Sequence, residues 1–173
     1  MNPLLVINKR NKTEEEIQKL PKIYASRCVL FDEHGNVILM SCHSEKKEIG
    51  HYYAIPGGKI EEGETPEAAC RREVREEAGF VLDNVISTYP IAIVRKEYFS
   101  VTHGFMAIVS STEQKELQLT DEEKAENQTT ETYPFEEAIS LFNNKYIRTQ
   151  HEASLRDLTL LLEARRIFLN SKS

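Results

Sequence analysis

The stretch GKIEEGETPEAACRREVREEAGF, residues 58–80, decides how this chain is read. Thr65 followed by Pro66 has the form of an N-cap and a first helical residue: a threonine hydroxyl accepts from an early helical N–H, and proline lacks only a donor that would go unused there. Good helix formers continue to Ala78, and Gly79 marks the stop. On a helix advancing about 100° per residue, Glu73, Glu76 and Glu77 fall at roughly 0°, 300° and 40°, so three carboxylates crowd one arc. Cys70, Val74 and Ala78 lie at roughly 60° to 140°, a narrow apolar stripe beside the acidic one.

Such carboxylates repel one another by a few tenths of a kcal/mol per pair when exposed, and by more when partly desolvated. Arg72 and Arg75 offset part of this, which leaves a solvated, salt-bridged helix as one reading. The other is a hard divalent cation such as Mg²⁺, which keeps several waters and takes its remaining oxygen ligands from a few carboxylates and substrate phosphates. An ion there neutralises charge on bridging phosphates and acidifies a bound water, the outline of phosphoanhydride hydrolysis. Gly57 and Gly58, at the head of the stretch, let backbone approach a phosphate or metal with no Cβ in the way, although a plain tight turn also explains them.

Outward from this helix the sequence has β character. Residues 22–33 and 36–42 are rich in apolar and β-branched residues and are separated by His34-Gly35-Asn36, which reads as a hairpin. A polar loop over 43–50 leads to a short strand, 51–55, that stops at Pro56-Gly57-Gly58. After the helix, VLDNVIST, PIAIVRK and HGFMAIVS are candidate strands within 80–111, the last two facing each other across a turn near residues 97–100. Residues 112–131, polar and acidic, read as a solvated loop. Pro134 opens a short amphipathic helix, FEEAISLF, and 151–169 form a longer one with Leu155, Leu158, Leu162, Ile167 and Leu169 on its apolar side.

Composition bounds the rest. A chain of 173 residues suits a single domain with terminal additions. A formal charge of −6 argues against nonspecific binding to nucleic acid or an anionic membrane. Cys28, Cys42 and Cys70 suggest neither a disulfide framework nor a zinc site, so a reduced, cytoplasmic setting is expected. No stretch approaches a membrane span, and the five histidines show no ligand spacing.

Residues 58–80 match G-x5-E-x7-R-E-U-x-E-E-x-G-U, with U a bulky apolar residue, at all nine positions: Gly58, Glu64, Arg72, Glu73, Val74, Glu76, Glu77, Gly79 and Phe80. At 6–7% usage per residue type, seven exact letters coincide by chance on the order of once in 10⁸ starts, which sets coincidence aside. The chain thus resembles the Nudix hydrolase family. The likeness extends to the ASRCVLF strand, the aromatic before IPGG, and YPFEEA at the second helix, covering about residues 22–143. Residues 1–21 and 144–173 fall outside it, as decoration or a dimerisation element, and a homodimer is left open.

The resemblance implies an α/β (α+β) fold, an α/β/α sandwich around a mixed sheet, with one to three Mg²⁺ or Mn²⁺ ions held by the motif. It implies a substrate built as a nucleoside diphosphate linked to another group: a nucleoside triphosphate, a dinucleoside polyphosphate or a nucleotide sugar. Glu73, Glu76 and Glu77 become metal ligands, with a backbone carbonyl of Gly57 or Gly58, and Arg72 with Glu64 braces them. The general base is Glu76 or Glu77, or one of Glu122, Glu123 and Glu126. Lys59, Arg27 and Arg95 are candidates to meet phosphate charge, Tyr52, Tyr53, Phe99 and Phe105 to stack on a base. Tyr98 and Pro90 are weak guides to substrate. A nucleotide-binding sensor without turnover is the alternative function.

Overall fold

A computed structural model describes residues 5–43 and 50–171. The longest contact in the sheet is between β2 (Lys22–Phe31) and β7 (Phe99–Ile108), parallel strands in register over ten pairs, from Lys22↔Phe99 to Phe31↔Ile108. β6 (Ile91–Val94) lies antiparallel to β7, and β1 (Leu5–Ile7) adds a parallel edge strand to β6. The N-terminal segment is therefore part of the sheet. It continues into α1 (Glu14–Gln18), one short helix closed by a capping box between Thr13 and Glu16.

The hairpin expected around Gly35 is present, with β3 (Val37–His43) antiparallel to β2, but the two strands pair only at Leu30↔Ile38 and Phe31↔Val37. Beyond that point the same edge of β3 passes to β4 (His51–Ala54), paired from Met40↔Ala54 to His43↔His51. β2 and β4 thus splay apart, and the chain leaving β4 crosses back to β2, where Cys28 N–H donates to Pro56 O at 3.0 Å and Ser26 N–H to Gly58 O at 2.9 Å.

Strand alternation explains the double burial of RCVLF. Val29 and Phe31 face one cluster with Ile91, Ile93 and Met106, roofed by α4 (Phe135–Thr149) and α5 (Glu152–Ser171) through Phe142, Leu160, Leu161 and Phe168. Cys28 and Leu30 face the other with Phe105 and Ala107, beneath Cys70, Val74 and Ala78. Helices cover both faces of a mixed sheet, the α/β/α sandwich anticipated.

Four expectations are corrected. The helix of residues 66–78 is α only over α2 (Pro66–Glu73); Val74–Ala78 form a π turn, ending at Gly79 with φ 76°. The segment 112–131 is not simply a solvated loop: it contains α3 (Asp121–Ala125), capped reciprocally by Thr120 and Glu123, and the first residues of β8 (Thr129–Tyr133), which pairs along β3 from Val37↔Tyr133 to Ser41↔Thr129. The polar TTETY has no buried-strand signature, and it is the free edge of β3 that makes it a strand. VLDNVIST shrinks to β5 (Ile86–Ser87), two residues paired with β7. The second helix runs well past FEEAISLF to Thr149. Of the expected 43–50 loop, residues 44–49 lie outside those described.

Candidate active site

The splay of β2 from β4 is bridged by Gly57 and Gly58, and the acidic side of α2 and its π turn faces this bridge. At Gly57, φ is +144° and a Cβ would stand 2.1 Å from the Ser26 carbonyl oxygen, so only glycine lets the bridge lie flat on β2. Its N–H donates to Glu77 Oε2 at 2.7 Å. At Gly58 a Cβ would meet Glu73 Oε1 at 2.4 Å, so this glycine makes room for a carboxylate.

The three helix carboxylates differ in burial. The side chain of Glu73 is 12% exposed and that of Glu76 38%, while the Glu77 residue is 8% exposed. Burial pushes the Glu77 carboxyl up to about 8; the Gly57 N–H and Arg27 pull the other way, and Glu73 and Glu123 add repulsion. Burial likewise raises Glu73, against the pull of Arg72, with Glu76 and Glu123 repelling. A cation alongside would favour the charged form of both carboxylates.

Arg72 braces the group. Its Nε and Nη2 donate to the two oxygens of Glu64 at 3.0 and 2.9 Å, Nη1 donates to Glu73 Oε1 at 2.8 Å, and Nη2 also reaches the Lys59 carbonyl at 3.2 Å. Glu76 stands 3.5 Å from Nη1. Hydrogen bonding to Glu64 holds the guanidinium firmly protonated and holds the Glu64 carboxyl below its ordinary range. Arg75, paired with Arg72 in the sequence reading, is exposed and makes no ion pair among the described residues.

Among the described residues, no three His, Cys, Asp or Glu side chains converge tightly enough to hold an ion unaided. The donor set nevertheless fits Mg²⁺ or Mn²⁺, which needs only one or two carboxylates and completes its shell with water and phosphate oxygens. Glu73 and Glu77, with Glu76 at the rim and the Gly58 carbonyl region beside them, are the groups that would hold it.

Of the other candidates, Arg27 lies on β2 and donates from Nη1 to Ile55 O at 2.6 Å, while Lys59 is exposed and contributes mainly its backbone. Arg95 pairs with Glu152 at 2.9 Å. Glu122 is exposed; Glu126 accepts from the Tyr52 hydroxyl; Glu123 is the one whose charge is felt at both Glu73 and Glu77. A cavity of about 410 Å³ opens between β4 and α4, lined by His51, Tyr52, Tyr53, Phe142, Asn144 and Lys145. A larger one of about 750 Å³ between α2, β7 and α5 touches none of the motif carboxylates. Lys145, with its Nζ 4.9 Å from the centre of the Tyr52 ring, carried no signal in the sequence: it belongs to no motif, and only the docking of α4 brings it here.

The sequence profile of the NUDIX domain matches residues 21–158. An 8-oxo-dGTP diphosphatase of Proteus vulgaris is 34% identical over 87 residues, 47% of this chain and 77% of that protein. Among solved structures, an ADP compounds hydrolase superposes with a TM-score of 0.64 at 17% identity, covering 90% of this chain and 77% of that one. A C. elegans Ap4A hydrolase in a binary complex gives 0.61 at 17% identity, covering 86% and 98%. These last two likenesses speak to the fold. With the profile spanning most of the chain and the full motif in place on its helix, the protein belongs to the Nudix family of pyrophosphohydrolases.

Proposed function

We propose that this enzyme uses Mg²⁺ or Mn²⁺ to hydrolyse the diphosphate linkage of a nucleoside diphosphate derivative, with nucleoside triphosphates, including oxidised purine nucleotides, as the first class to test. The observation that carries this reading is the buried Glu77 and half-buried Glu73, set against Gly57 and Gly58 and braced by Arg72 and Glu64. The name of the Proteus relative favours a triphosphate over the nucleotide sugar that the motif alone leaves open.

When bound, the cation neutralises phosphate charge and acidifies a water. The chain's own groups do the rest. Glu73 and Glu77 present oxygens toward the ion, and Arg72 holds Glu73 in place. Arg27 and Lys59 meet phosphate charge. Glu123 is the proton acceptor we favour among the loop carboxylates, because its charge is felt at both Glu73 and Glu77. The free thiols are consistent with a cytoplasmic enzyme.

A substrate panel read by release of phosphate, pyrophosphate or nucleoside monophosphate with Mg²⁺ tests the reading. Cleavage of nucleoside triphosphates is expected; a folded protein that cleaves only nucleotide sugars would overturn the choice of class. Glu77→Gln and Glu76→Gln should each lower kcat by at least about 10²-fold. Glu123→Gln should lower kcat by about 10²-fold with KM little changed if it takes the proton.

A further inference from the structure

Beyond the motif, four cations gather on the α4/α5 face of the sheet at its open end. Arg27 shares the parity of Val29 and Phe31 on β2, and Arg95 continues the parity of Ile91 and Ile93 on β6, so both point toward α5. Lys145 on α4 donates from Nζ to Tyr53 O at 3.3 Å, two residues before the Ile55 carbonyl that Arg27 takes. Arg156 on α5 is 8% exposed and bonds Asp157 Oδ1 at 2.7 Å through Nε.

Glu152 and Asp157 are the acids set among them, so the cluster carries more positive charge than negative. The groups feel one another: burial first, then Arg27 and Arg95, bring the Arg156 guanidinium down to about 10 against the pull of Asp157. Burial also lowers Lys145, which Arg156 and Arg27 press down further while Asp157 supports it.

Donors and acceptors are left over as well. Among the described residues the buried Nε of Arg27 and of Arg95 have no hydrogen-bond partner. Neither does the hydroxyl of Ser154, 1% exposed in the first turn of α5, nor that of Thr102, 0% exposed. Thr102 stands in register with Ala25, on the sheet face that Arg27 occupies two residues along. These unpaired donors, set beside excess positive charge, supply the groups that an anion would engage.

We propose that Arg27, Arg95, Lys145 and Arg156 form an anion subsite that takes a phosphate of the substrate beyond the two flanking the cleaved bond. The inference rests on the hydrolase reading above. It selects substrates with a third or further phosphate over those whose appendage is neutral. Arg27 links the two sites, since its charge reaches both Glu77 and Arg156.

The test begins with metal-free wild-type protein titrated calorimetrically with inorganic tripolyphosphate, which probes the subsite without the cation. Saturable binding is expected, weakened about 10-fold or more in Lys145→Met and recovered in Lys145→Arg. In steady-state assays with Mg²⁺, Lys145→Met should raise KM for a nucleoside triphosphate about 10-fold with kcat within about 3-fold, and leave KM for a nucleotide sugar unchanged. Lys145→Gln serves if the methionine variant melts early. Turnover of triphosphates by a wild-type protein that binds no tripolyphosphate would overturn the subsite and leave the hydrolase reading intact. An equal rise in KM for both substrate classes would overturn it too. Lys145-dependent tripolyphosphate binding with no turnover of any panel member would keep the anion site and overturn the substrate reading.

Discussion

Gly57 and Gly58 are neighbours in sequence with different physical duties, and substitution should separate them. A methyl group at Gly57 runs into backbone, the Ser26 carbonyl at 2.1 Å, at a φ that L-residues rarely adopt. Gly57→Ala is expected to destabilise the fold by about 2 kcal/mol or more, seen as a fall in Tm. A methyl group at Gly58 meets the tip of the Glu73 side chain, which can swing aside. Gly58→Ala should therefore melt close to wild type and yet lose at least about 10-fold in kcat, because Glu73 is displaced. Equal losses of Tm in the two variants would contradict this division. At the β2–β3 turn, burial pushes the Asp32 carboxyl upward, but hydrogen bonds from Asn36 and His34 outweigh it and hold the group below its ordinary range. A depressed folded-state pKa gives stability that is present above the unfolded value and lost as pH falls through the folded one. The Tm advantage of wild type over Asp32→Ala should thus be full at neutral pH and shrink below about pH 4, the ordinary carboxylate range.

Among elements, α2 and its π turn carry the motif carboxylates. The i→i+4 geometry assumed from sequence places three carboxylates on one arc, whereas the π turn inserts an extra residue into the hydrogen-bonded ring and carries Glu77 in against Gly57. The arc was legible from spacing; the ranking of burial, Glu77 and Glu73 inside and Glu76 at the rim, was not. Arg72 is the brace that ties this helix to the preceding loop through Glu64 and the Lys59 carbonyl. Lysine cannot reproduce the fork that engages both Glu64 oxygens. Arg72→Lys is expected to lower kcat/KM by about 10- to 100-fold while Tm moves by only a few degrees, checked by kinetics beside thermal melts. A variant with unchanged kcat/KM would leave Arg72 as a surface ion pair.

For the whole molecule, α4 and α5 close one face of the sandwich. Phe168, near the end of α5, lies 4.8 Å from Phe31 between ring centroids and is 3% exposed. Phe168→Ala should cost about 3–5 kcal/mol, read from denaturant unfolding, although the residue stands far from the motif in sequence. The profile match to residue 158 takes in the N-terminal turns of α5, including Arg156 and Asp157, so the C-terminal helix is more than an appendage. Strand β1 likewise joins the segment before residue 22 to the sheet.

The sequence by itself determined the helix at Thr65-Pro66, its stop at Gly79, the hairpin at Gly35 and the set of carboxylates that fills the family motif, because caps, glycine turns and motif spacing act over a few residues. The tertiary structure alone decided that polar TTETY is a strand, since a free edge of β3 supplies its hydrogen bonds whatever its side chains. It alone decided that Gly58 is small for the sake of Glu73. It also brought Arg27, Arg95, Lys145 and Arg156, from four separate stretches of chain, to one end of the sheet, a juxtaposition that strand parity and helix docking create and that no local pattern along the chain encodes.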